Sequence, residues 1–263
     1  MNSKYKVIKF KKDKFENIDD FISIEEPLEI SIKYKDQNKW VTDSLSITMR
    51  TPGHDEDLVR GFLFNEQIIQ NLNDIENIES FGDKVGQYNI KNKILVTLNN
   101  SQNVNISKIK KDFLTNSSCG VCGKSSLDAL EIIKKEKTPL SNPKLSKEII
   151  INSPSILRKN QSEFAKTGSI HASGLFSSDG SIISLREDVG RHNALDKMIG
   201  DSLINNYLQP ENQFITCSGR LNFELVQKVL MTNIGLMIGV GAPTSLAIDL
   251  ANRFDMTLIG FVK

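Results

Sequence analysis

Two cysteines separated by two residues, in the stretch Ser118 to Ser126 (SCGVCGKSS), are the residues in this chain best suited to chemistry. A Cys-x-x-Cys pair can chelate a metal, cycle as a dithiol or carry sulfur, and this run also ends in Gly-Lys-Ser like a phosphate-binding loop. The phosphate loop fails on spacing. Four residues must part its first glycine from Gly-Lys-Ser, whereas two part Gly120 from Gly123. The loop is too short to wrap a phosphate.

Zinc fails on ligand supply. A structural site takes four Cys or His ligands, usually as two knuckles. Beyond the pair the chain offers Cys217 and three histidines, and none forms a second knuckle. His171 sits like the His of a zinc deaminase His-x-Glu, but Ser173 occupies the glutamate position and no Pro-Cys-x-x-Cys follows. No zinc is expected. Thiol chemistry fits better. Cys119 and Cys122 lie just before a helical pattern, whose N-terminus favours thiolate, and Lys124 adds positive charge. Gly120 and Gly123 leave the sulfurs accessible on a flexible loop. Such a thiolate attacks another sulfur and holds a persulfide, with the second cysteine resolving or assisting. A thioredoxin-like protein would carry the motif early, and here it lies mid-chain. The bland alternative is two inert thiols in a loop. Cys217, alone in an apolar strand pattern, reads as a buried core thiol.

Three further clusters could bind or position a ligand. Thr216 to Arg220 (TCSGR) and Gly241 to Ser245 (GAPTS) each follow a strand pattern and open a helix. Backbone amides at a helix start bind phosphate, Arg220 can grip one with two donors, and Pro243 suits a first helical turn. Plain capping explains either turn alone; the two together favour a nucleotide in the crevice beyond the strand ends. Arg186 to Asn193 (REDVGRHN) is the densest polar cluster. There Asp188 could orient His192, and Arg191 could face an anion; a surface ion-pair network has the same composition. His54, beside Pro52 and Gly53, reads as a cap or turn residue. Trp40 and the scattered phenylalanines make no stacking ladder for bases.

These residues need elements to hold them. Leu28 to Tyr34, Leu45 to Met49 and Tyr88 to Leu98 carry strand patterns, and Asp55 to Ile69 has helical spacing with an acidic start. Ser126 to Lys135 reads as an amphipathic helix, and Thr138 to Lys144, with two prolines, as a linker. Ser153-Pro154 reads as an N-cap and first turn opening a helix through Lys166. Beyond it, strands at 170–176, 182–186, 213–217, 236–240 and 256–261 alternate with helices at 191–203, 221–231 and 243–253. That order implies an α/β sheet covered on both faces and parallel toward its end. The domain plan is 1–116, an N-terminal α+β domain; 117–125, the cysteine loop; 126–144, helix and linker; and 145–263, the larger α/β domain.

Bulk composition sets the outer bounds. The 263 residues are 39% hydrophobic and 25% charged, with a net charge of +1, which suits a globular protein without a nucleic-acid-binding surface. The lysine-rich start leads into no apolar run, and the longest such run, Ile234 to Ala242, is too short to cross a bilayer. A cytoplasmic protein with reduced thiols and no membrane partner is expected.

The blocks, taken in order, resemble the formate dehydrogenase accessory sulfurtransferases, the FdhD family. They are TPGHDEDLVRGFLFNEQII, SSCGVCGKSS, TGSIHASGLF, REDVGRHNALDK, SGRLNFELVQK and GAPTSLAIDLANRFDMTLIGFVK. Ser169 stands where the family has a second glycine, and Asn222 where many members have serine. The resemblance implies a cytidine-deaminase-like three-layer α/β/α domain without zinc chemistry, and a homodimer. It implies that sulfur comes as a persulfide from a cysteine desulfurase and passes to the molybdenum bis-guanine-dinucleotide cofactor, which serves formate dehydrogenase. Cys119 and Cys122 would be the persulfide-carrying pair. The cofactor would lie against Ser218, Gly219, Arg220, Ala242, Pro243, Thr244 and Ser245, with His171, Asp188, Arg191, His192 and Asn193 nearby. Phe261, Val262 and Lys263 would complete the pocket. Many members continue past this point, so part of the pocket is expected to be absent here or supplied differently. The alternative is a cofactor-binding chaperone that transfers no sulfur.

Overall fold

The computed structural model describes residues 1–11, 14–99 and 139–262. Cys119, Cys122, the helix expected over 126–135 and Lys263 lie outside these residues.

The N-terminal region opens with an antiparallel hairpin, β1 (Asn2–Lys11) and β2 (Lys14–Ser23), where the sequence shows only a lysine-rich start. A four-stranded sheet follows, built from β3 (Glu26–Asp36), β4 (Lys39–Arg50), β5 (Ile75–Val85) and β6 (Ile90–Leu98) in the order β4-β3-β6-β5. Two antiparallel hairpins are joined by a parallel β3–β6 seam. Helix α1 (Asp55–Asn65) covers one face and buries Leu58, Val59 and Leu63 against Leu28, Ile30, Ile32, Ile94 and Val96. α1 stops four residues short of the Ile69 end predicted from spacing, because Gln67 adopts φ 57°, which an α-helix cannot continue through. Ile68 and Ile69 still reach the core, which explains the misleading periodicity.

The C-terminal region is a five-stranded sheet in the order β11-β10-β9-β7-β8. Its strands are β7 (His171–Ser177), β8 (Ile182–Asp188), β9 (Gln213–Cys217), β10 (Leu236–Gly239) and β11 (Thr257–Ile259). β9, β10 and β11 run parallel, and β7 is antiparallel to both of its neighbours. Alternate side chains serve opposite faces. Leu175, Ile215 and Met237 pack with α4 (Arg191–Ile204), α5 (Phe223–Met231) and α6 (Ser245–Arg253), while Phe176, Phe214 and Ile238 pack with α2 (Lys147–Lys159). The expected α/β class is therefore present, as three layers in this region.

α2 corrects one sequence expectation. The helix begins at Lys147, capped by the Ser146 side chain accepting from the Ile149 N–H, and Pro154 lies inside it. Proline brings no N–H for the Ile150 carbonyl; the Ser153 hydroxyl donates to that oxygen instead, at 3.1 Å. A pair read as cap and first turn thus repairs the middle of the helix. The chain breaks at Asn160 and resumes as a separate α3 (Ser162–Thr167). The expected linker is also tied down: Ser141 forms a parallel bridge to Ile234.

The two regions meet backbone to backbone across α1 and α4. A Cβ on Gly61 would sit 1.9 Å from the Asp196 carbonyl oxygen, and one on Gly200 would sit 1.9 Å from that of Asp57. Only glycine permits this approach. Beside it, Asp196 accepts from Asn65 at 2.6 Å and from Lys228 at 2.9 Å, buried on all sides. No helix among the described residues is long and apolar enough to cross a membrane.

Candidate functional site

The carboxyl ends of β9, β10 and β11 and the start of β7 border a cavity of about 670 Å³, within the span of roughly 300–1,000 Å³ usual for small-molecule sites. From these ends come Ser218, Val240, Val262 and His171. The opposite wall is built by α2 and α3, with Leu157, Arg158, Gln161 and Phe164. Of the residues predicted from sequence, His171, Ser218 and Val262 line this space. Arg158, Gln161 and Phe164 were not anticipated, because 154–166 reads as one helix and its internal break is invisible in periodicity.

Of the two expected phosphate turns, GAPTS runs directly into a helix start and TCSGR does not. α5 begins only at Phe223, with Asn222 as the capping residue accepting from the Leu225 N–H, and α6 begins at Ser245. Pro243 therefore precedes the N-cap Thr244 and does not occupy a first turn. The turns are instead knitted to each other. Leu221 N–H donates to the Ala242 carbonyl at 3.1 Å, Thr244 N–H to Leu221 at 2.9 Å and Gly241 N–H to Gly219 at 3.1 Å. Phe261, at φ 58°, is joined on by its own N–H to the Gly241 carbonyl. This lattice extends the sheet past its strand ends and holds Arg220 and Ala242 side by side. The N–H groups of Gly219, Arg220 and Ala242 make no hydrogen bond among the described residues, so a ligand oxygen could use them.

The REDVGRHN block divides into two jobs. Arg186 donates to Asp57, Glu187 accepts from the Glu163 and Phe164 N–H groups that open α3, and Asn193 donates to the Met49 carbonyl at 2.8 Å. Asp188, fully buried, accepts from Thr51 N, Gly190 N and Asn193 and pairs with Lys197 Nζ at 2.7 Å. These four residues clamp the turn to its neighbours. The expected Asp188–His192 contact is not made: His192 Nε2 lies 3.0 Å from Glu224 and 3.2 Å from the Asn222 oxygen. Burial gives the reason. Asp188 has no solvent route to neutralise its charge, so it takes the nearest cation and three N–H donors. Arg191 projects the other way, toward the Gly219 turn, and His192 toward Asn222 and Glu224 at the start of α5.

There the electrostatics favour an anion. Arg191 Nε is buried without a hydrogen-bond partner among the described residues, and the Arg191 Cδ is 3.8 Å from where a Gly219 Cβ would stand. His171 Nδ1 is 3.4 Å from the Ser218 hydroxyl, which itself accepts from Ala172 N–H. Burial pushes the His171 pKa down, Arg191 and His192 push it further, and Asp188 opposes them. The lowered pKa favours the neutral imidazole, through burial first and then through the neighbouring Arg191. Ser173, in the deaminase-glutamate position, contacts the Cys217 sulfur at 3.4 Å.

Cys217 is 3% exposed, and burial pushes its thiol up to about 11. At pH 8 that leaves about one molecule in a thousand as thiolate. Iodoacetamide at pH 8 is expected to leave Cys217 unmodified in the folded protein and to alkylate it in urea; peptide mass mapping reads both.

Known proteins share this architecture and sequence. A crystal structure from Desulfotalea psychrophila, described as a formate dehydrogenase accessory protein, superposes with TM-score 0.72 at 23% identity over 100% of this chain and 93% of the other, a likeness of fold. Proteins named sulfur carrier protein FdhD from Sulfolobus acidocaldarius and Sulfurisphaera tokodaii are 40% and 38% identical over 260 and 258 residues. The matches span 99% and 98% of this chain and 92% of each relative. The sequence model of the FdhD/NarQ family matches residues 23–263, and on that match and those identities the chain belongs to the FdhD/NarQ family.

Proposed function

We propose that this protein is a sulfur carrier that takes a persulfide sulfur from a cysteine desulfurase onto the Cys119/Cys122 pair and delivers it to the molybdenum bis-guanine-dinucleotide cofactor, its cargo, for use by formate dehydrogenase. The observation that carries the reading is the cavity beyond the carboxyl ends of three parallel strands, lined by His171, with Arg191 at the adjoining Gly219 turn and its Nε buried without a partner among the described residues. Strand ends of this kind are where open α/β sheets place nucleotides, and the relatives at 38–40% identity are named sulfur carriers. A volume of about 670 Å³ suits one nucleotide end of such a cargo. Phosphates fall to Arg191, Arg220 and the free N–H groups of the two turns.

The sulfur step balances without an external oxidant. A thiolate of the pair attacks the outer sulfur of the donor persulfide; a new S–S bond forms, the donor's S–S bond breaks, and the donor leaves as a thiolate. The protein acts in the cytoplasm as a homodimer. Incubation with a cysteine desulfurase and L-cysteine is expected to add the mass of a sulfur atom, removed by reductant and absent from the Cys119→Ala/Cys122→Ala variant. That variant should bind guanosine diphosphate normally and fail to activate formate dehydrogenase. Full activation by it would establish the chaperone without sulfur transfer.

A further inference from the structure

No residue of the β1–β2 ribbon lines the cavity, and the family model begins at residue 23, where the ribbon ends. Its base is tied down. Asn2 donates to Glu163 at 2.8 Å, Ser23 donates to Thr167 at 2.8 Å, and Tyr5 bonds to Tyr88 and Gln87. Beyond that row the ribbon reaches into solvent, and its two faces differ. Residues directly paired across two strands share a face. Ile8, Phe10 and Phe15 lie on one side, with Phe10 opposite Phe15 and their ring centroids 5.0 Å apart. They are 71%, 60% and 76% exposed. Lys9, Lys11 and Lys14 lie on the other side, with Lys11 opposite Lys14. From Lys6 to Glu16 the sequence holds five lysines against two acidic residues. A lone two-stranded ribbon is marginal in water. This one sets an aromatic pair at its outer end, where polar residues would cost least, and exposed apolar groups clustered in this way mark a contact surface.

We infer that the ribbon tip is a docking surface for an anionic lipid bilayer. Ile8, Phe10 and Phe15 enter the interfacial layer and leave water, while Lys6, Lys9, Lys11 and Lys14 form a cationic collar at headgroup level. Charge complementarity selects this occupant. A second copy brings the same lysines, so like charge opposes tip-to-tip pairing. A nucleic acid needs open ring faces in a row for its bases, and here the two rings lean on each other with 41° between their planes. Lysines beside an open strand edge also hinder edge-to-edge aggregation, but that task calls for no exposed aromatic pair. The expectation of no membrane partner, drawn from the want of a spanning run, gives way to a reversible surface contact that needs no spanning helix. The inference is independent of the sulfur-carrier reading.

Co-sedimentation of the whole protein with vesicles tests it. Partitioning onto vesicles of equal parts phosphatidylglycerol and phosphatidylcholine is expected to exceed that onto phosphatidylcholine alone by about a hundredfold, and to weaken as salt is raised. Phe10→Ser/Phe15→Ser should lower it by about tenfold, and Lys9→Gln/Lys11→Gln/Lys14→Gln by about a hundredfold. Both variants should keep the wild-type unfolding temperature, because these side chains face solvent. A Phe15→Trp reporter in a Trp40→Phe background should shift its emission to the blue on the anionic vesicles, a change that surface charge attraction alone does not produce. Absence of binding, equal partitioning onto the two vesicle types, an unshifted reporter, or full binding by the serine variant overturns the proposal. Absence of binding together with lost self-association in the serine variant overturns it and assigns the tip to a second copy.

Discussion

Replacing Lys197 with methionine is expected to destabilise the protein by about 3–5 kcal/mol, which for a chain of this size lowers the unfolding temperature by roughly 6–20 °C. Lys197 is 1% exposed and its ammonium lies 2.7 Å from Asp188, which is fully buried, and 2.7 Å from the Thr51 carbonyl. Methionine fills a similar volume, so packing survives and the charge does not. Asp188 then stands as an uncompensated buried carboxylate. The three N–H donors it accepts soften the loss toward the lower end of that range. A double-mutant cycle with Asp188→Asn measures the coupling: recovery of at least about 1 kcal/mol relative to additivity is expected. Additive losses at constant pH would show that the pair contributes nothing beyond its packing. Because Asp188 and Lys197 also tie the β8–α4 turn to Thr51, the surviving folded fraction should bind nucleotide less tightly.

Gly200→Ala is expected to cost about 2–3 kcal/mol, although alanine favours a helix interior over glycine by roughly 1 kcal/mol. The added methyl has no room: the Asp57 carbonyl oxygen stands 1.9 Å away and its carbon 2.7 Å away. Backbone cannot swing aside as a side chain can, so α1 and α4 must part along their length. Gly61→Ala meets Asp196 in the same way. Thermal denaturation reads the loss directly, and an unchanged or raised melting temperature would mean that the helices are not in backbone contact. A functional effect follows from where α4 begins. Its first residue is Arg191, beside the Gly219 turn. A shift of α4 by even an ångström moves the cation meant for the anionic ligand, so nucleotide affinity should fall along with stability.

The burial of Cys217 follows from its apolar strand, whereas the chemistry of Cys119 and Cys122, which lie outside the described residues, rests on residue type and spacing as a proposal. The α/β alternation from Ile170 onward is legible because each element is long enough to show its period: β9 occupies Gln213–Cys217 as read, and α4 starts at Arg191 as read. The β1–β2 hairpin is not legible, since its strands mix lysines with exposed aromatics and bury little, and a period of two appears only when one face is buried.

The tertiary structure decided what each polar group does. In sequence, Asp188 and His192 are four residues apart and invite a pairing; in space, Lys197 and Thr51 reach Asp188 first, because a buried charge is settled by its nearest partners in three dimensions. The same holds for Ser153, which became the mender of a proline gap rather than a cap. It holds at the start of α3, where Glu187 on β8, and not the N-cap Gln161, accepts from the Glu163 and Phe164 N–H groups. Residue types and spacings state which reactions a chain can perform. Which side chain is left unpaired to perform them depends on contacts between segments far apart in sequence, and no local pattern encodes those.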